Sequence, residues 1–360
     1  MWRTQKLFLL LVITLSVIST AASRTSETNS LTSEKVDLGR DLFFDKRLSV
    51  DGRVSCASCH DPATAFAGRD TRAIGVENQV GTRNTPTILN AVFSKTYFWD
   101  GRASTLEEQA KQPLLNSAEM GMETEAALVA RLSAIDDYRQ RFRRIFPRRG
   151  ITLDNVAKAI AAYERTLLSK DSPFDRFMEG DCNAITNNQK KGWELFKGKA
   201  KCIQCHPYTK SSPFFTDSKF YNTGISSSEQ TFSELKRRAQ EIVGRAKDSG
   251  SLAHEGRFSE LGRFLVTQQS SDIGAFKTPT LRDIELTWPY MHDGSIRTLL
   301  DVMKFYNQGS GKNPNLDAKL QPLNLTDEEM NYIVEFMRSL TSEDVLREAQ
   351  SSKPQSRRKS

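Results

Sequence analysis

The sequence predicts a mainly α-helical protein made of two halves of like design, and three observations carry that prediction. The pattern Cys-x-x-Cys-His occurs twice, as Cys56-Ala57-Ser58-Cys59-His60 and Cys202-Ile203-Gln204-Cys205-His206. Each pattern is followed by the same short landmarks in the same order. Each half then closes on a segment with the periodicity of an amphipathic helix.

The chain opens with Arg3 and Lys6 before an apolar stretch from Leu7 to Ile18, followed by the small residues Ser19-Thr20-Ala21-Ala22-Ser23. This is the layout of a secretory signal peptide over residues 1–23, with cleavage near Ala22 or Ser23. The apolar run is short for a bilayer-spanning helix, and no other segment approaches its length, so an exported protein without a stable membrane span is expected.

The two Cys-x-x-Cys-His patterns carry the chemistry. On a helical turn the first Cys, second Cys and His fall at i, i+3 and i+4, on one face. Two thioethers can then hold one porphyrin edge while the neighbouring imidazole reaches the iron. Zinc sites and thioredoxin-like pairs also use Cys-x-x-Cys, but neither explains a His directly after the second Cys twice in one chain. The spacing predicts two covalently bound c-type haems, one on Cys56 and Cys59 with His60 as iron ligand, the other on Cys202 and Cys205 with His206. With only four histidines in 360 residues, haem iron rather than acid–base side chains is expected to carry the reaction. Thioether attachment in an exported chain fits a bacterial periplasm. The fifth cysteine, Cys182 in the turn Gly180-Asp181-Cys182-Asn183, reads as a passive thiol.

The landmarks form an internal repeat. The first half reads Thr85-Pro86-Thr87, Phe98-Trp99-Asp100-Gly101 and Thr105-Leu106; the second reads Thr278-Pro279-Thr280, Met291-His292-Asp293-Gly294 and Thr298-Leu299. The Asp lies 14 residues after the Pro, and the Thr 5 after the Asp, in both halves. Upstream of each haem motif stands a Gly-x-x-Leu-Phe segment, Gly39 to Phe43 and Gly192 to Phe196. Leu153, Val156, Ile160, Tyr163 and Leu167 mark the closing helix of the first half; Ile333, Phe336, Met337 and Leu340 mark that of the second, with Thr326 and Glu329 as a capping box. The simplest explanation is two cytochrome c-like haem domains related by duplication, at 24–169 and 170–345, followed by a disordered basic tail at 346–360. The second half carries about 47 extra residues between motif and Thr-Pro, most of them between Ile225 and Arg263. There Phe232, Leu235, Ala239, Ile242 and Val243 read as a surface helix packing on its own domain, and His254 as a solvated side chain.

The formal charge of +7 does not indicate a nucleic-acid partner. Arg3 and Lys6 lie in the signal segment, and Lys353, Arg357, Arg358 and Lys359 in the tail. The body between them is left at about +1.

The repeat also distinguishes the two irons. Tyr306 lies 13 residues after Asp293, and the residue 13 after Asp100 is Pro113. A phenol can ligate iron and proline offers no side-chain donor. The second haem can thus be capped on both faces, with Met303, one turn earlier, as a rival to Tyr306, whereas the first keeps an open face.

Arg83-Asn84-Thr85-Pro86-Thr87, Phe98-Trp99-Asp100-Gly101-Arg102, Leu106-Glu107-Glu108-Gln109, Glu119-Met120, Phe276-Lys277-Thr278-Pro279-Thr280-Leu281-Arg282 and Pro289-Tyr290-Met291-His292-Asp293-Gly294 together resemble the bacterial di-haem cytochrome c peroxidase and MauG-like family, over nearly all of the mature chain. The resemblance implies that Gln109 and Glu119 line the open face of the first haem, that Trp99 bridges the haems, and that Asn84 with the carbonyls of Thr287 and Pro289 holds Ca2+, whose preference is for oxygen donors. In this family a His in the loop after the first motif marks members that need reductive activation, and the matching loop Gly75 to Gly81 has Val76 there. Met as second-haem ligand marks typical peroxidases and Tyr marks MauG-like members. A surface Trp two residues before the second haem motif is the MauG-like electron port, and Ala200 stands there; Trp193 and Trp288 read as packing residues. The resemblance implies hydrogen peroxide as substrate, with either a small electron-donor protein (cytochrome c or cupredoxin) or a protein or small molecule to be oxidised. Plain electron transfer is the third class, and a homodimer is compatible with the sequence.

Overall fold

In the first half, Thr32 caps the helix Ser33–Phe44 by accepting the Lys35 N–H, and Leu38, Gly39, Leu42 and Phe43 form its buried stripe. That stripe lies on the closing helix Leu153–Glu164, which is buried on nearly every side. The two backbones meet at Gly39, where a Cβ would stand 1.9 Å from the Ala159 carbonyl oxygen. The second half repeats the crossing. Helix Asn187–Lys197 meets helix Asp327–Arg338, and a Cβ on Gly192 would stand 1.9 Å from the Tyr332 carbonyl oxygen. The Gly-x-x-Leu-Phe segments are therefore helix-crossing motifs in which only glycine lets the backbones touch. The capping box between Thr326 and Glu329 is present. Leu167 and Leu340 lie just past the ends of their helices.

This computed structural model describes residues 29–225, 229–245 and 249–351. The expected signal peptide, residues 226–228 and 246–248 of the insertion, and the tail from residue 352 lie outside them. The protein is mainly helical; its one named sheet among the described residues is a two-stranded antiparallel ladder pairing Phe220 with Lys277 and Tyr221 with Phe276. No helix among the described residues is long and apolar enough to cross a membrane.

The buried apolar side chains fall into three clusters: residues of the first half around Leu42, Phe142 and Ile160; residues of the second around Phe174, Trp193 and Phe336; and a third around Phe232, Phe258 and Leu265. The third corrects the reading of the insertion as one surface helix. Helices Glu229–Glu241 and Ser249–His254 build a core of their own, and Val243, expected on the packed face, is 67% exposed. The insertion also grips the first half: Arg83 donates to the Ser259 carbonyl at 2.6 Å, Thr82 to the Ala253 carbonyl at 2.8 Å, and Arg263 to the Asp100 carbonyl at 2.9 Å. The tail boundary at 346 is likewise corrected. Helix Glu343–Ser351 runs through it because Val345 and Ala349, one turn apart, bury a common face, and Val345 joins the first cluster.

Candidate functional site: one cavity between two Cys-x-x-Cys-His turns

The first haem motif forms a helical turn, Cys56–Cys59, and the second a 3-10 turn, Cys202–Gln204. In each, the His N–H returns to the carbonyl of the first Cys at 2.9 Å. The imidazoles are held alike. His60 Nδ1 lies 3.0 Å from the Phe66 carbonyl and His206 Nδ1 2.7 Å from that of Phe215. A carbonyl only accepts, so the proton sits on Nδ1 and the Nε2 lone pair is free for a metal. Burial lowers both imidazole pKa values, which keeps them neutral as ligation requires.

The Thr-Pro-Thr landmarks support the carbonyls that orient these rings. Thr87 Oγ1 donates to the Ala65 carbonyl and Thr280 Oγ1 to that of Phe214, each one residue before the histidine's acceptor. Phe66 and Phe215 both have positive φ, the strained backbone that turns the carbonyl inward. Phe98-Trp99-Asp100-Gly101 and Met291-His292-Asp293-Gly294 form matching turns, with the Gly N–H bonded to the Phe98 or Met291 carbonyl.

Both motifs open on a single cavity of about 620 Å3. It is lined by Cys56, Cys59, His60, Cys202, Cys205, His206 and Tyr306, by Gln109, Glu119 and Trp99, and by Asn84, Thr287 and Pro289. Thus the structure brings the expected haem-binding, catalytic and calcium-binding residues together on one wall system. Burial raises the pKa of all four cysteines, Cys59 to about 11 and Cys202 to about 12. Burial keeps these thiols neutral, at Cys205 against the pull of Lys319, which makes them a poor zinc thiolate set but a fitting one for thioether bonds. Two thiols, one free Nε2 and a cavity wall at each end fit two c-type haems.

Beyond the motifs the two ends differ. Helices Leu106–Leu115 and Leu299–Asn307 both start from a Thr N-cap, Thr105 and Thr298, and Pro113 and Tyr306 both line the cavity from the eighth position of those helices. No described group hydrogen-bonds the Tyr306 hydroxyl, and burial raises its pKa well above the ordinary phenol value. Met303 packs in the second core cluster and does not line the cavity. Val76 is 2% exposed and also off the cavity; its N–H bonds the Glu119 carbonyl at 2.9 Å.

Around the first motif, Glu119 faces the cavity with its pKa raised by burial, against the pull of Arg102. His254, expected in solvent, corrects that expectation: its side chain is 22% exposed, lines the same cavity, and stands 3.7 Å from Glu119. Nothing in its local sequence signals this, because the contact joins the insertion to the first half. Arg102 is fixed by buried Asp100, which also pairs with Arg83 at 2.8 Å; the two guanidiniums overcome burial and lower the Asp100 pKa. Trp99 donates to the Asn84 carbonyl at 2.9 Å and meets the His292 ring edge-on at 6.4 Å. The His292 Nε2 is 2.9 Å from Glu260. Asn84 Nδ2 donates to the Asp70 carbonyl, so its Oδ1 is the atom left for a hard cation. Ala200 and Trp193 are buried, whereas Trp288, read as a packing residue, is 38% exposed.

Comparison with known proteins gives this arrangement a lineage. The family model for di-haem cytochrome c peroxidase matches residues 33–183. The methylamine utilization protein MauG of Methylophilus methylotrophus is 37% identical, covering 87% of this chain and 84% of that one. The chain belongs to the di-haem cytochrome c peroxidase family. Cytochrome c551 peroxidase of Nitrosomonas europaea is another relative, 34% identical over 86% of this chain and 80% of its own. Among solved structures, a MauG-like protein associated with microbial copper homeostasis superimposes with a TM-score of 0.73 at 31% identity, covering 88% of this chain and 92% of that one. Family membership implies two c-type haems and makes the protein an oxidoreductase.

Proposed function

We propose that the protein is a periplasmic di-haem peroxidase built from two duplicated haem domains, which reduces hydrogen peroxide at an open first haem with electrons relayed through the second. The observation that carries this is the contrast at one helix position, Pro113 against Tyr306, on the walls of a shared cavity. His60 and His206 would each hold an iron, and Tyr306 would add a phenol donor at the second motif, whereas Val76 offers none at the first. A haem held at the first motif supplies the iron at which the peroxide O–O bond breaks.

Hydrogen peroxide takes up two electrons and two protons to give two waters. The electrons come from a small cytochrome or cupredoxin. Glu119 accepts the proton from the inner oxygen and returns it to the outer one, and the Gln109 amide hydrogen-bonds the oxygen on which charge builds. Trp99, on the wall of the cavity that both motifs share, is the link for electrons. Asn84, with the Thr287 and Pro289 carbonyls, is the set for Ca2+; its three oxygen donors suit a hard cation, which would brace the junction that carries Trp99 and His292.

A second reading, MauG-like oxidation of another molecule by peroxide, is favoured by the cavity position of Tyr306, since an anionic phenolate stabilises oxidised iron. Buried Ala200 argues against a protein substrate docking there. Stopped-flow spectra of the oxidised holoprotein with peroxide, with and without reduced cytochrome c, test the choice. Rapid re-reduction by the cytochrome supports the peroxidase, a long-lived oxidised state that ignores it supports the second reading, and no reaction with peroxide refutes both.

A further inference from the structure

The insertion reaches over the first half and ends one helix, Ser249–His254, beside Glu119. Its placement is fixed. Leu252 and Ala253 are buried in the insertion's own core, and the Ala253 carbonyl accepts from Thr82. His254 Nε2 lies 3.4 Å from Arg102 Nη2. A guanidinium only donates, so Nε2 is the acceptor and the ring proton sits on Nδ1. That is the nitrogen facing Glu119 Oε1 at 3.7 Å, a separation that small side-chain movements close once substrate is bound. Arg102 is itself clamped by two bonds to Asp100 and one to Gln112, so it cannot turn away.

We propose that His254 is a positioning residue for Glu119: a neutral imidazole whose Nδ1–H holds the carboxylate in place to take up the peroxide proton. The proposal rests on the reading of the first haem as the peroxide site. The charged and titratable groups facing the pair are Arg102, Arg83 and Asp100 around His254, and Arg102, Cys56 and Cys59 around Glu119; once bonded to haem, the two cysteines no longer titrate. Burial, helped by Arg102 and Arg83, pushes the His254 pKa down to about 4, so the ring stays neutral through the working range. A donor aimed at a carboxylate favours its ionised form, so removing the donor raises the Glu119 pKa. The acid side of the peroxide reaction then moves to higher pH.

The test uses the oxidised holoprotein and its His254→Phe and His254→Asn variants. Asparagine returns an N–H close to the Nδ1 position; phenylalanine fills the space without one. The rate of the first peroxide step is measured against pH, together with the rate of cyanide binding, which also needs a distal group to take a proton from the incoming ligand. The Phe variant should shift the acid limb of both profiles upward by about one pH unit, the size of a single hydrogen bond to a charge. The Asn variant should stay within about 0.3 unit of the parent. Should the Phe variant fail to fold, His254→Gln, which lacks a donor at the Nδ1 position, should show the same upward shift. Profiles of the Phe or Gln variant that coincide with the parent, or an Asn variant that shifts as far as Phe, overturn the role of His254 alone. A parent that reacts with neither peroxide nor cyanide overturns the open-haem reading and this proposal with it.

Discussion

Replacing Glu119 with Gln isolates the proton-transfer step from the architecture around it. The backbone at this position is held by bonds from Glu119 N–H to the Asn116 carbonyl at 3.1 Å and from Val76 N–H to the Glu119 carbonyl at 2.9 Å, and neither involves the side chain. Gln has nearly the same shape and its carbonyl oxygen can still accept from His254. What it cannot do is bind and release a proton. A placed acid–base group contributes roughly 100-fold to 10,000-fold, or about 2.7–5.4 kcal/mol of barrier. The variant should therefore keep both haems and its melting temperature, since burying a neutral amide replaces a carboxyl that burial already disfavours as an ion, while the peroxide step slows by at least two orders of magnitude. The assay is stopped-flow mixing of oxidised holoprotein with excess peroxide, read at the haem absorption band. A rate within about a factor of two of the parent, small against that range, would remove Glu119 from the mechanism.

Three further perturbations probe other parts of the account. Tyr306→Met should raise the midpoint potential of the second haem by a measurable part of the roughly 0.8 V that axial ligands span, leaving the first unchanged; spectroelectrochemical titration showing two unaltered potentials would exclude Tyr306 as the ligand. Glu164 lines the cavity with its pKa pushed up to about 8 by burial, so the folded state keeps a proton that the unfolded chain loses near pH 4.5. Folded-state stability should thus fall as pH rises from about 4.5 to 8 and level off above, and Glu164→Gln should flatten this dependence by up to a few kcal/mol in denaturant titrations; identical slopes in parent and variant would refute it. Gly39→Ala should destabilise the fold by about 1–3 kcal/mol or more, because its Cβ would overlap the Ala159 carbonyl. Gly256→Ala, with nothing within 4 Å, should change stability by less than about 0.5 kcal/mol, and equal effects at the two sites would contradict the helix-crossing argument.

The haem motifs, the crossing helices and the Thr-Pro-Thr pairs are legible in the sequence because each is a local pattern written twice. Repetition makes one half a control for the other, and that is how residue order alone sets Pro113 against Tyr306. His254 has no such counterpart. It belongs to the insertion, present in one half only, and its partner Glu119 is distant in sequence, so only tertiary packing brings them together. Val243 fails for a related reason: helical period places it near the apolar stripe, but the Glu229–Glu241 helix ends before it. Trp288 reads as core by residue type, yet the chain at Thr287-Trp288-Pro289 turns the neighbours toward the cavity and leaves the indole at the surface.

The proposed function requires one iron with an open face and the other capped on both. Electron paramagnetic resonance of the purified, fully oxidised holoprotein, never exposed to reductant, reads the spin state of each iron. One high-spin and one low-spin ferric haem are predicted, with the high-spin signal lost on adding peroxide. A spectrum containing only two low-spin haems would contradict the account.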